Sequence, residues 1–369
     1  MQRTFAILAL LATVATSAQA QRSWQSEIGL QGGYTRVVAA GSGGSPTDVF
    51  SLPGFNVGPA APLPPAVYVI IPWKDKIAVE TELAFSQIFV GTATQATAIQ
   101  LGLRGDYALS RDLYAAAGGA LGYIHTNGLK ETQLGLQGAL GYRRHLTGPL
   151  NFRFEARVSV WGKTDNVGPY DIYSGLIGIS TSTRAAAARS GRAAAPAARG
   201  AWRKQLGVAG GYANIHTVGG GADAVALALP GYGGGFSGLG APGVNLPPTI
   251  FAIFPIGSKV AIEPGIDLHR AQSANTTNFN GNFSARLNYA VSGGWYGALG
   301  GSLNYVKSSG VSAATRTGLN LAWGYRFGFL GPLGGRVETS YTLWGKNTDI
   351  GLPPQNVFAI MFGVTMPLR

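Results

Sequence analysis

Ile99-Gln100-Leu101-Gly102-Leu103-Arg104-Gly105-Asp106-Tyr107 carries an apolar side chain at every odd position and a polar or small one at every even position. A period of two is the mark of a half-buried strand, whereas a helix needs apolar residues three and four apart. The same alternation runs through Leu134-Gly135-Leu136-Gln137-Gly138-Ala139-Leu140-Gly141-Tyr142-Arg143 and Ile77-Ala78-Val79-Glu80-Thr81-Glu82-Leu83-Ala84-Phe85. Followed along the chain, it predicts strands near 27–37, 67–73, 76–87, 97–108, 112–124, 132–144, 150–162 and 171–181. A second set is predicted near 205–215, 249–255, 258–269, 279–291, 294–306, 316–328, 333–345 and 356–366. The fold class is all-β.

The two sets arise because the chain is an internal duplication. Gly32-Gly33-Tyr34 recurs as Gly210-Gly211-Tyr212, and Pro64-Pro65 as Pro247-Pro248. Gly141-Tyr142-Arg143 recurs as Gly324-Tyr325-Arg326, and Trp161-Gly162-Lys163 as Trp344-Gly345-Lys346. The offset drifts only from 178 to 183 residues. A period this long is one whole structural unit rather than a solenoid turn.

Residues 1–20 read as a secretory signal peptide, with Arg3, an apolar run from Phe5 to Ala15, and the small-x-small site Ala18-Gln19-Ala20. The expected organisation is signal peptide 1–20, first repeat 21–182, basic Ala/Arg-rich linker 183–201 and second repeat 202–369. The chain has no cysteine, so disulfide and thiolate chemistry are excluded. Charged residues are 12% of the chain, about half the usual share for a water-soluble domain, and glycine is 56 of 369. Low charge with many aromatics suits an outer surface that meets lipid. The net charge of +12 is concentrated partly in Arg184, Arg189, Arg192, Arg199, Arg203 and Lys204, a solvated tether in composition. Nucleic acid is not expected as a partner, because no aromatic stacking pattern accompanies these charges.

The predicted connections alternate in length. Residues 72–75, 110–111 and 145–149 form tight turns, while 38–66, 88–96, 125–131 and 163–170 are longer. Short turns on one side and long loops on the other are the pattern of a transmembrane β-barrel. Tyr34, Tyr107, Tyr123 and Tyr142, with Tyr212, Tyr289, Tyr305 and Tyr325 in the second copy, fall at strand ends on the apolar face. Amphipathic rings at these positions are expected to form the two aromatic girdles.

The opposite parity holds the charges. Glu80, Arg104, Arg143, Arg153 and Glu155 point inward in the first copy, and Glu263, Arg286, Arg326, Arg336 and Glu338 in the second. With Glu82, Asp106 and Arg157 the first copy has four inward acids and four arginines. The second sets Glu263, Asp267 and Glu338 against three arginines. Small residues such as Ala78, Gly102, Ala116 and Gly118 lie between them and leave room for long side chains. Balanced ion pairs in a narrow barrel are expected to plug it; in a wide pore the same residues would form a charged constriction.

Signal peptide, eight strands per copy, loop asymmetry and the inward Glu/Arg cluster together resemble the small outer-membrane barrels of the OmpA/OmpX type. The resemblance implies two eight-stranded up-and-down barrels in tandem in the cell outer membrane, among lipid and lipopolysaccharide. It implies a non-enzymatic structural or surface-interaction role with no cofactor. One sixteen-stranded porin for passive diffusion of small solutes is the alternative architecture. Adhesion through the outer loops is a third reading, because the long stretches 38–66 and 216–248 are rich in Gly, Pro and apolar residues. Such loops are expected to fold over the mouth or to engage a partner, lipid or a neighbouring barrel. Catalysis is not expected. The four histidines, His125, His145, His216 and His269, form no pair at metal spacing, and the glycine runs do not sit at strand-to-helix turns.

The unheated protein is expected to fractionate with outer membrane and to migrate differently on a gel from the boiled form. Recovery as a soluble periplasmic protein would end the barrel reading.

Overall fold

The computed structural model describes residues 24–368, apart from 41–44, 53–62, 92–93, 127, 148–149, 183–200, 221–222, 230–247, 274–275, 311, 331–332 and 349–350. The signal peptide 1–20 and nearly all of the linker 183–201 therefore lie outside the described residues. In the first copy the strands are β1 Glu27–Ala39, β2 Thr47–Leu52, β3 Val67–Lys74, β4 Ile77–Val90, β5 Thr94–Ala108, β6 Leu113–Thr126, β7 Leu129–Thr147, β8 Leu150–Trp161 and β9 Tyr170–Ser182. In the second they are β10 Gln205–Thr217, β11 Ala224–Leu229, β12 Ile250–Pro255, β13 Val260–Gln272, β14 Thr277–Ser292, β15 Trp295–Ser308, β16 Ala314–Leu330, β17 Leu333–Trp344 and β18 Gln355–Pro367. No helix among the described residues is long and apolar enough to cross a membrane.

Two of these strands were not expected, and they decide the architecture. β2 and β11 lie inside the long stretches 38–66 and 216–248. Each pairs with the first strand of its own copy on one side and with the other copy on the other. Gly33–Val37 of β1 pairs with β2, and β2 then pairs with β13 through Phe50↔Arg270 and Val49↔Ala271. Gly211–Ile215 of β10 pairs with β11, which continues to β4 through Ala226↔Ile88 and Leu229↔Phe85. Consecutive antiparallel pairings from β13 to β18 and from β4 to β9 complete the circuit. Toward the loop end the sheet is thus one closed sixteen-strand ring, in the order β1, β2, β13 to β18, β10, β11 and β4 to β9.

The expectation of two separate eight-stranded barrels of the OmpA/OmpX type is corrected by these pairings to a single closed antiparallel barrel. The physical reason lies in the loops. Gly/Pro-rich sequence conceals two six-residue strands, and these bridge what would otherwise be independent walls. The described parts of these loops, Thr47–Leu52 and Ala224–Leu229, are strands of the one barrel wall. Toward the turn end the barrel is divided. There Glu27–Leu30 of β1 pairs with β3 and Gln205–Val208 of β10 with β12, so that β3 and β12 stand between the halves.

The change of partner falls on the repeated motifs. Gln31 N–H donates to Ala66 O at 2.8 Å, and its counterpart Ala209 N–H to Thr249 O at 2.9 Å. Gly33 and Gly211 follow, with φ of +148° and +153°. A Cβ at either would lie 2.2 Å from a carbonyl oxygen of the neighbouring strand, Gly175 or Ile360. Only glycine fits where the strand must twist away from one partner toward another. The Pro-Pro segments mark the same level: Leu63 to Ala66 are buried within the barrel, and Gln31 Nε2 donates to Pro65 O at 2.9 Å.

The period-2 pattern maps as alternation predicts. Leu134 and Leu136 on the outer face are 68% and 73% exposed, while Arg104 and Glu155 on the inner face are 2% and 0%. Charges inside and leucines outside are the inverse of a soluble sandwich and suit a wall facing hydrocarbon.

Cysteines placed at Val49 and Ala271 test the bridge. Directly opposed residues of an antiparallel pair have Cα atoms about 4.5–5.5 Å apart, within disulfide reach. The V49C/A271C variant is expected to oxidise to an internal cross-link between the copies, seen by mass spectrometry of its peptides. Failure to cross-link in the folded barrel would mean that the halves are not joined there.

Candidate functional site

The inward charges assemble into one network per half. Register brings Glu80 opposite Arg104 and Glu263 opposite Arg286. Arg104 donates from Nη1 to Glu155 Oε1 at 2.8 Å, and from Nη2 to Glu155 Oε2 at 2.6 Å and to Glu80 Oε1 at 2.7 Å. Arg153 donates to Glu80 Oε2 at 2.7 Å and also to Glu155. Arg286 repeats the fork, with Glu338 at 2.7 and 2.6 Å and Glu263 Oε1 at 2.7 Å. Arg336 donates to Glu263 Oε2 at 2.7 Å. Bidentate guanidinium–carboxylate contacts of this kind are the strong form of the ion pair.

A tyrosine completes each network. Tyr114 donates to Glu155 Oε2 and Tyr296 to Glu338 Oε2, both at 2.6 Å. Each ring sits against a glycine of the neighbouring strand. A Cβ on Gly141 would fall 2.0 Å from the Tyr114 ring, and one on Gly324 would fall 2.5 Å from that of Tyr296.

Arg143 and Arg326 do not join these networks. They lie one layer nearer the turn end, over tryptophans whose role alternation had not indicated. The Arg143 guanidinium is 4.2 Å from the Trp24 ring and that of Arg326 is 3.6 Å from Trp202. Both indoles are pinned by N–H donation, to Lys76 O at 3.1 Å and Lys259 O at 3.0 Å, and both meet a network tyrosine edge-on. The available signal was their equivalence: Trp24 and Trp202 stand at the same offset, just ahead of the first strand of each copy. Arg143 also donates to Glu27 at 2.7 Å, a partner missed in the alternation pattern.

The halves differ above the shared wiring. Arg157 joins Glu82 at 2.9 and 2.6 Å and Glu155 at 2.8 Å, which gives the first half a second ionic layer. Gly265 and Ser340 occupy the corresponding positions of the second half. Asp267 there caps the Thr249 backbone at 3.0 and 2.9 Å instead of meeting an arginine.

The tyrosines expected in the girdles lie on the outer face. Tyr34, Tyr107, Tyr289 and Tyr325 are exposed and Tyr123, Tyr142, Tyr212 and Tyr305 half-buried. Tyr325 belongs to a wider aromatic strip of the second half, with Trp295 at 5.0 Å, Phe327 at 6.3 Å and a stacked Trp295–Trp323 pair.

Among the described residues, no group of three or more His, Asp or Glu is placed to hold a metal ion. His216 does have an acid partner that the sequence pattern had not indicated. Its Nδ1 is 3.0 Å from Asp223, whose carboxyl is held below the usual range by that hydrogen bond and by the Thr217 N–H. Both side chains are well exposed, and the contact ties the turn from β10 to β11.

No protein-family model matches the chain, and no curated protein matches it in sequence. Among solved structures it is similar to the CymD monoaromatic hydrocarbon channel, with 10% identity over 98% of this chain and 92% of that one and a TM-score of 0.31. It is also similar to the NanC porin, with 9% identity over 78% and 100% and a TM-score of 0.23. Similarity to Ail, the attachment invasion locus protein of Yersinia pestis, has 14% identity over 44% and 98% and a TM-score of 0.25. The assignment of the closed outer-membrane-type barrel rests on the strand pairing and the lipid-facing wall.

Removing Glu155 or Glu338 takes the bidentate carboxylate from Arg104 or Arg286 and one negative charge from a buried, ion-paired interior. Glu155→Ala is expected to cost ~3–5 kcal/mol of stability, as breaking one side of a buried pair does. Glu338→Ala is expected to do the same. Because one sheet joins the halves, each variant should shift a single shared unfolding transition. Two near-neutral variants, at about 0–1 kcal/mol as for exposed pairs, would show the networks to be solvated.

Proposed function

We propose that this chain is a non-enzymatic outer-membrane barrel of the porin-like kind, closed at its turn end by its two ionic networks. One observation carries the reading. Glu80, Arg104, Arg153, Glu155, Glu263, Arg336 and Glu338 are all at most 3% exposed, although they face the interior. A water-filled lumen would leave such groups wet. Trp24 and Trp202 lie beneath the networks and add an aromatic layer to the closure. Export through residues 1–20, a tethering role for 183–201 and the pairing of repeats 21–182 and 202–369 belong to the same reading.

The sixteen-strand ring at the loop end favours a second reading, in which small solutes diffuse passively and the networks are the constriction that selects among them. The described parts of the long loops are built into the wall, which leaves less of them for a surface partner. Planar-bilayer recording separates the two. Wild type is expected to give little steady conductance, and the Glu155→Ala/Glu338→Ala double variant more. A large, steady, ohmic current from wild type would overturn the closed reading and leave the open porin.

A further inference from the structure

The first network contains one acid too many. Once Arg143 is committed to Glu27 and Trp24, the layer holds Arg104, Arg153 and Arg157 against Glu80, Glu82, Glu155 and Asp106. The second holds Arg286 and Arg336 against Glu263 and Glu338, two against two. Its residue at the place of Asp106 is Asn288, the uncharged isostere of an aspartic acid. Asn288 Nδ2 donates to Glu263 Oε2 at 3.0 Å.

Asp106 is buried, and neither of its carboxyl oxygens receives a hydrogen bond. The titratable groups of the same ion-paired cluster are Glu80 on β4, Arg104 on β5, Tyr114 on β6 and Arg153 and Glu155 on β8, with the Arg143–Glu27 pair of β7 and β1 toward the turn end. Arg104 Nε comes only to 3.4 Å, while its fork is spent on Glu155 and Glu80. Asp106 stands opposite Ala78 in the register, one inward position along from Glu80, as Asn288 stands opposite Ala261 and beside Glu263. Two ionised carboxylates accept and cannot donate, so a bond equivalent to that of Asn288 to Glu263 requires a proton on one of them. Glu80 accepts from Arg104 and Arg153, one on each oxygen, and so remains the anion.

We propose that Asp106 holds a proton at neutral pH and donates it to Glu80, as Asn288 donates its amide hydrogen to Glu263. Three arginines then face three carboxylates, and both networks are neutral. The first half is closed by a lock that requires a proton and the second by one that does not. Raising the pH until Asp106 ionises places an uncompensated charge in a dry layer and loosens the first half alone. This regulatory consequence rests on the closed reading above; the protonation itself does not.

Infrared difference spectroscopy in detergent tests the protonation independently of conductance. Asp106→Asn is expected to fold, since it copies the second half, and to remove one carboxylic-acid C=O band from the wild-type spectrum at neutral pH. Asn288→Asp is expected to add one. In the unfolded chain Asp106 ionises above pH ~4, so holding its proton in the fold costs more as pH rises. The denaturation midpoint of Asp106→Asn should therefore pull ahead of wild type between pH 4 and pH 8. Loss of an ionised-carboxylate band instead, or a midpoint difference that does not change with pH, would overturn the proposal. Bilayer recording at raised pH then reads the lock: wild-type current should rise and that of Asp106→Asn should not. Flat records from both would overturn the regulatory step while the infrared band still reports the proton.

Discussion

Within hydrocarbon no water is present to satisfy a peptide group, so a spanning sheet must have no free edge. The architecture of this barrel follows from how a duplicated chain meets that constraint. Two copies could each have closed on themselves along their whole length. Instead β1 and β10 change partners halfway, and β2 and β11 carry the hydrogen bonding across to the other copy. Every wall is paired in both arrangements, but only the observed one makes the halves parts of a single sheet. The cost is local. The backbone must twist at Gly33 and Gly211, where a side chain would strike the neighbouring strand.

Inside the barrel a second constraint operates. Arginine and glutamate are tolerated away from water when each charge has partners of the opposite sign and its remaining donors or acceptors are met. Antiparallel register places Glu80 beside Arg104, and inward parity brings Glu155 and Arg153 across from them. Small residues on the intervening strands admit the long side chains. The duplication then allows each departure to be read against its counterpart. Glu82 and Arg157 go together to Gly265 and Ser340, so that no charge is left alone. Glu27 is replaced by Gln205, and the Arg326 guanidinium lies closer over Trp202 than that of Arg143 over Trp24. Asp106 against Asn288 is the departure that shifts a charge with no second charge change to balance it.

Local periodicity made most of the strands legible. A wall with lipid on one side and ion pairs on the other imposes strict alternation, and the side-chain period of a strand is two whatever it pairs with. Hence the parity of Arg104, Glu155, Arg286 and Glu338 could be read directly, as could the outward tyrosines. The network tyrosines Tyr114 and Tyr296 were harder to identify, because an aromatic on the polar parity resembles a girdle residue until its hydroxyl is seen on a glutamate. Trp24 and Trp202 precede the first strands, where no alternation exists to assign them a face.

Composition, repeat and periodicity determined by themselves that this is an all-β chain built twice, apolar outside and ionic within. They could not determine how the copies join. β2 and β11 are only six residues long and lie among Gly and Pro, too short for alternation to stand out from loop sequence. More fundamentally, a strand's pattern specifies which face is buried but not which edge is hydrogen-bonded to which neighbour. The same alternation serves two rings of eight or one of sixteen. That choice belongs to the tertiary structure, where Thr47–Leu52 and Ala224–Leu229 reach the opposite copy and close one sheet around both.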